Sequence, residues 1–126
     1  MLTLSDAAFG LVALLHAWFL VLETFLWEKP LGLKTFRQTP ERAAATAVLA
    51  SNQGLYNGFL AAGVAWGLVE GHGVFGMRVR LFFGACVIVA GLYGALTTGK
   101  RAILWVQAGP ALLAVVTLLL ASRYAS

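Results

Sequence analysis

Charge is scarce in this chain. Lys and Arg number 9 and Asp and Glu 5 among 126 residues, so 11% are charged against 60% hydrophobic. A soluble domain carries roughly 25% charged residues, and the polar material here is too little to cover a globule. The charges also gather in a few clusters instead of recurring along every helix, which is the pattern of a polytopic membrane protein. Cysteine is reduced to Cys86 alone, which excludes an intramolecular disulfide. Inside an apolar run that thiol reads as a small packing residue. Histidine occurs twice, as His16 and His72. Only His16 and Glu23 share a helix face, too few ligands for tetrahedral zinc. A bis-histidine haem would need His72 to reach His16 from an outer loop or across an oligomer. No metal or cofactor is therefore implied. Phosphate-cradling loops, a nucleophile elbow and a dinucleotide fingerprint are also missing. The net charge of +4 comes without a basic stripe interleaved with aromatics, so nucleic acid is not an expected partner.

What is present is length and hydropathy. A bilayer core of about 30 Å takes roughly 20 helical residues, and four segments qualify, at about 6–27, 43–69, 80–98 and 102–122. The expected fold is all-α: one transmembrane domain over residues 1–126, a bundle of four transmembrane helices. A closed barrel would need more alternating strands than this chain can supply. The first segment lacks a basic n-region and carries His16 and Glu23 in its body, so it reads as a retained helix rather than a signal peptide. The one long connection, EKPLGLKTFRQTPER, ends in a helix start, with Thr39 as N-cap, Pro40 at the first helical position and Glu41 in the first turn. EGHGVFGM forms a glycine-rich second link, and TTGKR a tight hairpin that makes helices three and four antiparallel.

The first and third loops carry Lys29, Lys34, Arg37, Arg42, Lys100 and Arg101, and the opposite side Arg78, Arg80 and Arg123. Six against three favours the first and third loops in the cytoplasm and both termini outside, with the protein in the inner (plasma) membrane. Gly54 and Gly58, then Gly63 and Gly67, are spaced for close approach of another helix, from this chain or from a homo-oligomer.

The polar residues within the spans are the candidates for function. At 1.5 Å per residue, Glu23 lies about 6 Å inside a boundary set by Trp27, with His16 near the midplane on the same face. Helix two enters from that side, bringing Asn52 and Gln53 roughly 14 Å in and Asn57 near the centre. Asn52 and Tyr56 form one i,i+4 row, Gln53 and Asn57 a second. Tyr93 and Gln107 lie a short way in from the third loop, and Gly109-Pro110 predicts a kink that opens a pocket beside them. A carboxylate in hydrocarbon costs several kcal/mol or more unless it is paired or hydrated. Glu23 must be protonated, bonded to an amide or hydroxyl, or paired with His16, Lys100, Arg101 or a first-loop cation. Helix glue accounts equally well for the amides.

The stretches HAWFLVLETFLW, PLGLKTF and NQGLYNGFLAAGVAWG resemble the bacterial membrane proteins grouped as domain of unknown function 1304, over nearly the whole chain. The resemblance implies a short four-span membrane protein and supplies no activity. Three functions stay open. The first is a bundle that binds, and by extension transports, a small polar or amphipathic ligand through a pocket of His16, Glu23, Asn52, Gln53, Tyr56, Asn57, Tyr93 and Gln107, with proton coupling. The second is an enzyme acting on a lipid or quinone-like substrate, with Glu23 as general acid or base. The third is a structural membrane subunit. The lipid bilayer is the expected partner of all three.

Overall fold

A computed structural model describes residues 2–124. The chain forms α1 (Leu2–Thr24), α2 (Pro30–Phe36), α3 (Pro40–Val69), α4 (Val74–Thr98) and α5 (Arg101–Ile103). From α5 it continues through a π turn (Leu104–Ala108) into α6 (Gly109–Tyr124). No strand occurs among the described residues. Three segments are long and apolar enough to cross a membrane, namely α1, α4 and the continuous run 101–124. The longest helix, α3, has 30 residues. It is less apolar because Asn52, Gln53 and Asn57 interrupt it.

Two connections differ from the sequence reading. The first loop contains α2, which Pro30 starts from its first turn. The third long helix begins at Val74 and not near residue 80. Its glycine-rich first turn reads as loop by composition, but extended backbone at Gly73 (φ −66°, ψ 166°) caps it. The link is then only residues 70–73, and Gly71 turns it with φ 74°. At the start of α3 the Thr-Pro-Glu signal is realised, with the Arg42 amide donating to Thr39 Oγ1 at 3.2 Å.

α1 packs against α3 and α6, and α4 packs against the same two. Their shared core holds Phe9 and Val12 of α1, Val64 of α3, Val87 of α4, and Ala114 and Leu118 of α6. Large apolar side chains point outward instead, with Leu14 71%, Val48 77% and Leu96 84% exposed. Large apolar side chains turned outward suit a lipid-facing helix, since hydrocarbon gives no hydrophobic force between helices and packing rewards close backbones. Gly67 of α3 meets Arg80 of α4, where a Cβ would stand 2.6 Å from Arg80 Cγ.

Trp27 ties the helices together at one end. Its Nε1 donates to the Ala43 carbonyl at 3.1 Å and to Thr46 Oγ1 at 3.2 Å. Its ring lies 4.9 Å from that of Phe36, centroid to centroid. Gly32 of α2 sits against the end of α1, where a Cβ would come within 1.9 Å of the Leu26 carbonyl oxygen. A backbone atom cannot step aside as a side chain can. Gly32→Ala is therefore expected to undock α2 and lower stability by about 1–3 kcal/mol. Gly58→Ala, whose Cβ would meet only the Leu20 side chain at 3.4 Å, should be neutral or gain a little from helix propensity, up to about 1 kcal/mol. Thermal unfolding in detergent, followed by circular dichroism, compares the two.

Candidate functional site

The end of α1, the middle of α3, the short α2 and the α5–π segment surround a groove of about 560 Å³. Glu23 lies in its wall, only 4% exposed. Asn57 Nδ2 donates to Glu23 Oε1 at 2.8 Å. The second oxygen, Oε2, is buried and has no hydrogen-bond partner. This contact depends on Gly54, one turn earlier on the same face of α3. A Cβ there would lie 2.5 Å from Thr24 Oγ1 and 3.1 Å from Glu23 Cβ.

His16, two turns before Glu23 on α1, is 1% exposed. Its Nδ1 bonds to the Val12 carbonyl at 2.8 Å. Because a carbonyl only accepts, Nδ1 carries the proton and Nε2 is turned toward the Gln107 amide nitrogen, 3.5 Å away, at the limit of a hydrogen bond. Gln107 also lines the groove, so His16 stands behind it. The π turn brings Gln107 there. Pro110 cannot donate to the Val106 carbonyl, and the ladder widens just ahead of it, with the Gly109 amide bonding to Leu104 five residues back. The expected kink is thus a π turn.

The eight candidates divide sharply. Glu23, Gln53, Asn57 and Gln107 meet at the groove, and His16 backs it. Asn52 lies outside the groove on an exposed face of α3. Tyr56, 65% exposed, rests its ring against Phe59 outside the groove. Tyr93 is likewise exposed on the outer face of α4. Of the two rows on α3, Gln53–Asn57 borders the groove: Asn57 is buried with Gly54 on the face that packs on α1, while Gln53 lines the groove and stays exposed. The cations proposed to pair with Glu23 make no ion pair with it; its partner is the Asn57 amide.

Phe19, Phe36, Ile103 and Val106, which escaped the sequence reading, supply apolar walls, and the first-loop cation Arg37 joins Lys100 and Arg101 beside them. Arg37 is the C-cap of α2 with φ 52° and ψ 50°. That left-handed conformation favours glycine and costs another residue roughly 1–2 kcal/mol. The signal for α2 was the Pro30 start followed by Leu31, Leu33 and Phe36.

A second polar cluster, also missed, lies at the opposite end. Arg80 is fully buried. Its Nη1 donates to Asp6 Oδ1 at 2.6 Å and its Nε to the Gly76 carbonyl at 3.3 Å, while Nη2 donates to the Gly71 carbonyl. His72, placed by the sequence in an outer loop, is half-exposed and meets Asp6 Oδ2 at 2.7 Å. An acid early in α1 and an arginine early in α4 are its sequence signature.

A family model described as protein of unknown function (DUF1304) matches residues 10–119. The uncharacterized protein YpaA of Lactococcus lactis subsp. lactis (strain IL1403) is 34% identical over 109 residues, covering 85% of this chain and 89% of that protein. No solved structure gives a significant match.

The Glu23–Asn57 contact carries a measurable energy. Asn57→Ala strips the carboxyl of its donor and is expected to lower stability by about 1–3 kcal/mol. In a Glu23→Ala background the same change should cost far less. A double-mutant cycle of thermal unfolding in detergent reads the coupling.

Proposed function

From the premise that the chain belongs to the DUF1304 family of proteins of unknown function, we propose that it is a four-span membrane protein whose groove binds a small amphipathic ligand. The observation that carries this reading is Glu23, a buried carboxyl on the wall of a roughly 560 Å³ groove with Oε2 unpartnered by protein. One oxygen is bonded between helices and the other is buried without a partner, so helix pairing alone leaves the carboxyl incompletely satisfied. The volume suits a molecule of a few hundred Å³, and the lining combines apolar walls with a few polar groups, as ligand sites do.

In this reading α3 is the fourth span. It packs on both α1 and α4, each long and apolar enough to cross, and its length exceeds the roughly 20 residues needed. The end bearing α2 faces the cytoplasm, in keeping with its excess of Lys and Arg. At the other end, the charge of Arg80 is matched by Asp6. Four helices are few for alternating access, so transport would involve a homo-oligomer.

Topology and binding are tested separately. In a Cys86→Ser background, Glu41→Cys and Gly73→Cys flank α3. An impermeant maleimide should label Gly73→Cys in intact spheroplasts and Glu41→Cys only after permeabilisation; labelling of both from one side overturns the fourth span. For binding, native mass spectrometry of the purified protein should show a retained small molecule. That adduct should be lost from Glu23→Ala and from Gln107→Ala variants that still fold. An adduct retained by both variants overturns the assignment of the groove.

A further inference from the structure

The groove has a charge asymmetry that its ligand must answer. Arg37, Lys100 and Arg101 all line it, and none has an acidic side chain within ion-pairing distance; the ion pairs among the described residues are those of Asp6 with His72 and Arg80. Three cations from two separate elements therefore converge on one cavity with their charge unmatched. The sole acid on its wall, Glu23, is engaged by Asn57 through one oxygen. Even with Glu23 ionised, the lining carries a net charge of about +2, three cations less one carboxylate. One of the three, Arg37, is held in a left-handed backbone conformation, which a glycine would adopt more easily.

Resting on the binding reading above, we infer that the ligand is an anionic amphiphile: an oxyacid head, carboxylate or phosphate, on an apolar body. The head meets Arg37, Lys100 and Arg101, where charge-assisted hydrogen bonds are strongest. The body lies against Phe19 and Val106. A free inorganic anion would leave the apolar walls wet, and a cationic amphiphile would meet three like charges. At roughly 560 Å³ the groove holds a single-chain molecule or the head region of a membrane lipid. These are two sources of the same chemistry.

The test uses the full chain in phosphatidylcholine nanodiscs, titrated with decyl phosphate, decanoate, decyltrimethylammonium and inorganic phosphate, with empty discs as the partition control. Both decyl anions should bind saturably, and decyltrimethylammonium and inorganic phosphate should not. Arg37→Gln and Arg101→Gln alter exposed residues and should leave the melting temperature unchanged while weakening decyl phosphate about tenfold or more each. If phosphatidylglycerol discs alone block decyl phosphate, the occupant is a lipid head. If they do not, it is a free organic anion; either result upholds the class. Binding of the cationic amphiphile, lost in Glu23→Gln, would overturn the anionic class while sparing the groove as a binding site. Anion binding unchanged in both arginine variants would overturn this proposal, and saturable binding of no amphiphile would overturn the binding reading as well.

Discussion

The close approach of α1 and α3 at Gly54 is the constraint from which the rest of the site follows. Any side chain at that position would collide with Thr24 Oγ1, and the Glu23 Cβ is nearly as near. With hydrogen alone there, Asn57 comes within 2.8 Å of the Glu23 carboxyl. The magnitudes make the dependence plain. A carboxylate left in an apolar interior without a partner costs several kcal/mol or more, whereas one hydrogen bond to a charged group returns about 1.5–3 kcal/mol. One amide therefore holds Glu23 without fully satisfying it, and its second oxygen stays buried without a partner.

The two ends of the molecule treat charge in opposite ways. At the Arg80 end every guanidinium nitrogen is bonded: Asp6 matches its charge, and the Gly71 and Gly76 carbonyls accept further hydrogen bonds. Breaking such a buried pair by removing one member is strongly destabilising, about 3–5 kcal/mol, because the other charge is left behind. That cluster clamps α1, α4 and the α3–α4 link, and its residues have no obvious call for a ligand. At the groove end, cations are exposed and unpaired, and a buried acid is half-bonded. Bonding at every nitrogen suits a structural role for Arg80, and the half-bonded acid is what singles out the groove as a candidate site.

Departures from regular backbone also collect around the groove. The π turn that presents Gln107 and the left-handed Arg37 both line it. Each costs local stability, and each aims a polar or charged side chain that a regular helix or a glycine cap would not. Such irregularities tend to persist where they serve a site.

The three long apolar helices and the start of α3 were legible in the residues themselves, because span length and the Thr39-Pro40 signal are local properties; α2 and the start of α4 were not. Glu23, Gln53, Asn57 and Gln107 were legible as polar groups that hydrocarbon cannot tolerate without partners. Their separation from Asn52, Tyr56 and Tyr93 was not. In a soluble helix, the apolar stripe reveals the buried face. A lipid-facing helix is apolar all round, so two i,i+4 rows of amides look equivalent until a neighbour covers one of them. The docking of α2 was hidden for a related reason, since Gly32 matters only through the Leu26 carbonyl it meets. Sequence alone thus determined which polar residues interrupt the apolar helices. Tertiary packing, through glycines that let backbones touch, decided which of them face one another.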